Sequence, residues 1–190
     1  MVRLYGWAHM AWSTFSSRPS MEHPRAAAAA EAGDAAAAAG AEADGAYRIR
    51  PLELADLSRG FCDLLAQLSP SPPLAEDAFR ARFAELAALG ADHLVLVAED
   101  AATGRLAAAG AVLLERKFIR RCGLVGHVED VVVDAAARGR GLGERLVRRL
   151  VEHARGRGCY KVILNCTREL KGFYAKCGFV EKNVQMGLYF

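Results

Sequence analysis

One segment constrains the fold of this chain more than any other. It runs Val131-Val132-Val133-Asp134-Ala135-Ala136-Ala137-Arg138-Gly139-Arg140-Gly141-Leu142-Gly143. The valines read as the end of a buried strand. The glycines beyond them permit a tight loop. From Gly141 to Arg157 the residues Leu142, Leu146, Leu150 and Val151 recur on one helical face. A strand that turns through a loop into an amphipathic helix needs a sheet to join and a sheet face to cover. The loop also has a chemistry. Glycines let the backbone approach a ligand closely, and the N–H groups of a helix's first turn point at a bound anion. Arg138 and Arg140 add charge-assisted donors suited to phosphate oxygens. The spacing Gly139-x-Gly141-x-Gly143 is not G-x-G-x-x-G, and no Gly-Lys-Ser/Thr makes it a P-loop. The plain alternative is a glycine-rich turn with two solvated arginines.

The rest of the body supplies that sheet. Tyr47–Arg50 alternates as a short strand. Asp56 is expected to cap a helix running to about Leu68, with Leu57, Phe61, Leu64, Leu65 and Leu68 on one face. Ser69-Pro70-Ser71-Pro72-Pro73 must be a loop, because proline fits neither helix nor strand interiors. A second helix carries Phe79, Phe83, Leu86 and Leu89 and stops at Gly90. Strands follow at His93–Glu99, at Arg105 to about Phe118, and at Gly126–Val133. After the long helix, Lys161–Asn165 is a strand, Glu169–Cys177 a short helix, and Val180–Phe190 a last strand. Strands joined by turns come first and strands joined by helices later. The expected sheet is therefore mixed, antiparallel in front and partly parallel behind.

Composition matters mainly for what it removes. The 190 residues are 53% apolar, but Ala26–Ala46 holds 14 alanines in 21 positions and adds little to a core. Residues 1–46 carry three arginines (Arg3, Arg18, Arg25) against five acids, a net −2, and residues 47–190 a net +5. Residues 1–46 read as a low-complexity, poorly ordered extension, since Gly33, Gly40 and Gly45 interrupt an alanine helix with no face to bury. A transit peptide is the sharper reading and the less favoured one, as three arginines in 25 residues are few. The body suits an anionic small ligand and lacks the clustered basic face of a nucleic-acid binder. No apolar run reaches the roughly 18 residues of a membrane span. Five scattered cysteines without C-x-x-C, and five histidines without ligand spacing, make no disulfide scaffold and no metal site.

Arg138-x-x-Gly141-x-Gly143 after a hydrophobic strand resembles the acetyl-CoA pyrophosphate loop of the GNAT N-acetyltransferase superfamily. Four further stretches resemble the glucosamine-6-phosphate N-acetyltransferase family within it, and most of all its plant members. They are Arg116-Lys117-Phe118-Ile119-Arg120, Gly126-His127-Val128-Glu129-Asp130-Val131-Val132-Val133-Asp134, Gly158-Cys159-Tyr160-Lys161-Val162-Ile163-Leu164 and Phe173-Tyr174-Ala175-Lys176-Cys177-Gly178-Phe179. The resemblance covers about Tyr47 to Phe190. It implies an α/β (α+β) domain of the GNAT acyl-CoA N-acyltransferase fold, a mixed and mostly antiparallel sheet flanked by helices.

The resemblance further implies that acetyl-CoA lies along Val131, Val132 and Val133. Its pyrophosphate would sit on Arg138, Gly139, Arg140, Gly141, Leu142 and Gly143, with further contacts from Tyr174, Ala175 and Lys176. D-glucosamine 6-phosphate would meet Lys117, Phe118, Ile119 and Arg120, then Glu129 and Asp130, then Asn165 and Cys166. A homodimer whose sites are completed by the partner chain is also implied. With no anchor read in the sequence, the cytosol is the expected compartment, and similar plant enzymes suggest the cytosolic face of the endoplasmic reticulum.

The residues support parts of this independently. Acetyl transfer needs a neutral amine, a polarised carbonyl and a proton for the leaving thiolate. Glu129 and Asp130 interrupt an apolar strand, and neighbours in a regular strand face opposite ways, so a bulge is needed to aim both at one pocket. The plain reading of Glu129 is an edge charge in solvent. Tyr174 offers a phenolic proton; otherwise it is a core tyrosine. Lys117 and Arg120 suit a sugar phosphate, or are solvated charges. His127 is read as structural, and Cys166 and Cys177 as packing residues. Where the family has an acid after the Ile-Leu pair stands Asn165, which cannot act as a base. The proline loop replaces the family's Thr and Gly. Two other readings stay open: an acetyltransferase for another amine, and an acetyl-CoA-binding module without turnover.

Overall fold

The computed structural model describes residues 42–44, 46–70 and 72–189. The remainder of the expected extension, Ser71 of the proline loop and Phe190 lie outside the described residues. Six strands form one sheet in sequence order. They are β1 (Glu42–Asp44), β2 (Tyr47–Pro51), β3 (His93–Asp100), β4 (Leu106–Arg116), β5 (Leu124–Val133) and β6 (Cys159–Ile163). Every neighbouring pair is antiparallel except β5 and β6, which are parallel. That is the mixed sheet expected from turns in front and a helical crossover behind. The backbone of Glu42–Asp44 pairs with β2, so the sheet begins within the segment assigned to the extension.

Helices cover both faces. α3 (Leu142–Gly156) lays Leu142, Leu146, Leu150 and Ala154, all fully buried, against one side. The spacing of four keeps them on one helical stripe. They meet Ile49, Leu96, Ala98, Ala108, Val112 and Val128 in the main core. At Gly126 of β5 helix and sheet approach closely; an added Cβ would sit 2.9 Å from Ala154 Cβ. On the other face α1 (Phe61–Leu65) buries Leu64 with Val97, Leu106, Ala109 and Val132. α2 (Glu76–Ala88) attaches through Phe79, whose ring stands edge-on to Phe61 at 5.8 Å. A last short helix, α4 (Lys171–Lys176), buries Tyr174 between Phe173 and Phe179. Among the described residues no helix is long and apolar enough to cross a membrane.

Three elements differ from the sequence reading. The single helix from Asp56 to Leu68 is a 3-10 turn at Leu54–Leu57 and then α1, parted by Gly60 at φ 93°. Asp56 does not cap α1. Its carboxylate is fully buried, accepting bonds from Arg50 Nη1 and Nη2 at 2.8 Å and from the Glu53 N–H at 2.8 Å. An ion pair taken out of water needs every lone pair met, and the turn closes around Asp56 to meet them. The strand expected at Lys161–Asn165 runs instead over Cys159–Ile163, because its pairing with β5 starts at Leu124 and stops at His127. The strand expected at Val180–Phe190 is absent from the described residues: residues 179–189 carry no ladder, and Val184 and Met186 are 90% and 92% exposed. The alternation is present in the sequence, but a strand forms only against a partner edge.

Candidate active site

β5 is regular as far as Glu129 and then bulges. Glu129 faces Ala111 and Val132 faces Ala109, so β5 spends three steps where β4 spends two. The extra residue is absorbed at Asp130, which sits at φ 52°, a left-handed conformation that costs a non-glycine residue about 1–2 kcal/mol. A bulge is therefore present at the acid pair, but it leaves the two carboxylates with different neighbours rather than aiming both at one. Glu129 comes within electrostatic reach of the Tyr174 phenol. Asp130 comes within reach of His93 at the start of β3. The sequence reading passed over His93. Its Nδ1 is buried without a hydrogen-bond partner, and burial holds the imidazole below its ordinary pKa against the opposing pull of Asp130.

Beside the bulge the sheet opens. The β5–β6 ladder ends at His127 and Ile163, so the edge of β5 from Val128 to Val133 borders a gap. The side chain of Val132 points into the α1 cluster, whereas Val131 and Val133 pack toward α3. What this stretch presents to the gap is backbone. Asn165 and Cys166 follow β6 on the far side and are both exposed. Cys166 is thus no packing residue, because the chain has already left the sheet there; Cys177 is half-buried. Tyr174 lines the same region. Its ring is buried, and desolvation first, then Cys166, Cys177 and Glu129, push the phenol above its ordinary pKa, so it carries its proton at neutral pH.

The glycine loop closes one end of the gap. Asp134 Oδ1 accepts the N–H of Ala136, and Arg138 Nε donates to the carbonyl of Val133 at 3.0 Å. Gly139 and Gly141 then take φ 77° and 72°, and an added Cβ at either would meet nothing within 4 Å. Their conformation requires glycine, while packing within the chain does not. The first intrahelical bond runs from Arg145 N–H to Gly141 O, which leaves the amides of Leu142, Gly143 and Glu144 at an open helix start. Gly143 is needed for a different reason, since a Cβ would stand 3.1 Å from Val133 and 3.3 Å from Phe173. Arg140 is anchored sideways, its Nη1 donating to the Tyr47 hydroxyl at 3.1 Å. Ala175 and Lys176 continue α4 past Tyr174.

One expected group stands apart. Lys117–Arg120 caps the β4–β5 hairpin, six residues beyond Ala111, which is about 20 Å of strand from Glu129. Lys117 Nζ and His127 Nε2 both bond to Glu115, the latter at 2.8 Å. Phe118 is 96% exposed, and Arg120, Arg121 and Cys122 take φ 56°, 56° and 59° in succession. Within a single chain this tip and Glu129 cannot hold one hexose phosphate.

A mixed sheet parted beside a bulge, with an open helix start and a glycine loop at one end of the gap, is the architecture of an acyl-CoA-dependent acetyltransferase. The family model for the Acetyltransferase (GNAT) family matches residues 60–179, and the chain belongs to that family. Among curated relatives it is 85% identical over 170 residues to glucosamine 6-phosphate N-acetyltransferase 1 of rice, covering 90% of this chain and 100% of that protein. It is 46% identical over 144 residues to the Arabidopsis thaliana glucosamine 6-phosphate N-acetyltransferase, covering 76% and 97%. The crystal structure of the Arabidopsis enzyme superposes with a TM-score of 0.75 over 76% of this chain and 98% of that one.

Proposed function

We infer that this chain is a glucosamine-6-phosphate N-acetyltransferase. It moves the acetyl group of acetyl-CoA to the 2-amino group of D-glucosamine 6-phosphate by direct attack, and so feeds UDP-N-acetylglucosamine synthesis. The observation that carries the substrate is the 85% identity along the whole of the rice enzyme. Acetyl-CoA supplies the activated acyl group as a thioester. The chain's own residues do the rest. The open edge of Val131–Val133 offers backbone partners to the pantetheine. Arg138–Gly143 offers N–H donors and a guanidinium to the pyrophosphate, with Ala175 and Lys176 bordering it. Glu129 and Asp130 hold the amino group and sugar hydroxyls, Asn165 and Cys166 face them across the gap, and Tyr174 Oη returns a proton to the leaving sulfur. Metal ligands are not part of this reading.

The active assembly is a homodimer. Two features support it: the tip Lys117–Arg120 lies too far from its own Glu129, and the alternating, exposed tail from Val180 has no partner strand among the described residues. A second copy answers both, placing the tip's cations beside the sugar phosphate of the other subunit. The enzyme works in the cytoplasm, with peripheral attachment to the endoplasmic reticulum a further refinement that cell fractionation tests. The test of the activity is thiol release by the purified full chain. Release of coenzyme A in step with acetylated sugar phosphate is the expected result. No release with this sugar, alongside turnover of another amine, overturns it.

A further inference from the structure

Gln67 lies in the turn that leaves α1 and enters the proline-rich loop. Nothing in its sequence surroundings marks it. In the structure its side chain reaches Asp134 and Ala135, at the root of the glycine loop. Its Nε2 donates to Asp134 Oδ2 at 2.8 Å, and its Oε1 accepts the N–H of Ala135 at 3.0 Å. The other oxygen of Asp134 accepts the N–H of Ala136 at 2.8 Å. The Gln67 bond comes first among the causes that hold the Asp134 carboxyl below its ordinary range. The pattern is specific. An amide supplies one donor and one acceptor at this reach, a carboxylate has no donor, and an ammonium has no acceptor.

The placement matters because of the loop that Asp134 opens. Beyond it the chain passes through Ala135–Ala137 and Arg138 to Gly139 and Gly141, both at positive φ with open space around them. Between its ends the stretch is held by Ala137, buried in the main core, and by the side chains of Arg138 and Arg140, and the two open glycines take their position from these anchors and from the two ends. One end is the start of α3, fixed by Leu142 and Gly143 in the core. The other is Asp134, whose N–H is tied to Ala107 O at 2.8 Å and whose side chain is held by Gln67. We propose that Gln67 is a positioning residue for the coenzyme: it braces the root of the pyrophosphate loop against the α1–α2 connection, so that Arg138–Gly143 stand ready for acetyl-CoA. The proposal rests on reading that loop as the pyrophosphate site.

The hydrogen-bond pattern can be inverted, and this makes the test sharp. Gln67→Glu sets two carboxylates against each other. Asp134→Asn sets two amide donors against each other. In the double variant the new carboxylate at position 67 would accept from both the new amide at position 134 and the Ala135 N–H, and the network closes again with the roles exchanged. Acetyl-CoA affinity is measured by titration without any sugar, at a temperature where circular dichroism shows each full-length variant folded. Each single variant is expected to bind roughly tenfold more weakly, in the range typical of coupled neighbours, and the double variant to recover most of that loss. A purely structural tie would move melting temperatures and leave the folded proteins' affinity unchanged. Wild-type affinity in both single variants, or a double variant as weak as the singles, overturns the brace while the wild type still binds. A wild-type chain that does not bind acetyl-CoA overturns the pyrophosphate reading and the brace with it.

Discussion

Tyr174 shows how surroundings change the chemistry of one side chain. The phenol is ordinary in sequence, an aromatic in a short helix. Burial between Phe173 and Phe179, with Cys166, Cys177 and Glu129 near, raises its pKa and keeps it protonated through the neutral range. A group that must deliver a proton is most useful when it still holds it at working pH. The rate should therefore fall on the alkaline side as pH rises through the raised phenol pKa. Tyr174→Phe is expected to lower kcat by about 10²- to 10⁴-fold, the usual range for a lost general acid, and to abolish that alkaline fall. A pH–rate profile on both proteins checks it. His93 and Gln67 show the limit of reading residues singly. Both matter through neighbours 37 and 67 positions away, Asp130 and Asp134, and no local pattern announces either.

At the scale of elements, the site depends on where strands begin and stop pairing. β5 pairs with β4 along its length apart from the bulge, but with β6 only as far as His127. The gap exists because that second ladder ends. α3 then fixes how the glycine loop enters, and its close approach at Gly126 holds the helix on the sheet. Gly126→Ala places a methyl group 2.9 Å from Ala154 Cβ and 3.3 Å from Val162 Cγ2. That overpacking should cost about 1–3 kcal/mol, seen as a lower thermal midpoint. Acetyl-CoA affinity should fall with it as α3 is pushed outward. Most of these elements were legible from periodicity. Those that were not have identifiable causes: Gly60 breaks the first helix around the buried Arg50–Asp56 pair, β6 slips by two residues, and the tail from Val180 joins no edge among the described residues.

The whole molecule raises a question that one chain does not answer. Glu129 and the Lys117–Arg120 tip lie about 20 Å apart along one hairpin, yet the proposed chemistry uses both. If the tip serves the partner's site, two damaged chains should repair one another. Lys117→Met with Arg120→Met removes the cations, and Glu129→Gln removes the carboxylate. Each variant alone should be nearly inactive, while co-expression should restore activity in the mixed dimer, because one of its two sites is then intact. A steady-state assay on the co-purified pair reads this directly. Activity no higher than that of either variant alone would rule out sites shared between subunits.

The sequence by itself determined the class of sheet, the helix that covers it, the anion-ready loop from Arg138 to Gly143 and the acid pair at Glu129–Asp130. These are local: periodicity, glycine spacing and charge within an apolar run are all written in adjacent residues. Only the tertiary structure decided where β5 and β6 part, that Asp130 takes up the bulge, that Arg140 is drawn to Tyr47, and that Gln67 reaches the root of the loop. Those features depend on which backbone groups find partners across tens of residues. A pairing that stops, or an amide that meets a carboxylate 67 positions on, leaves no trace in the pattern of either segment alone.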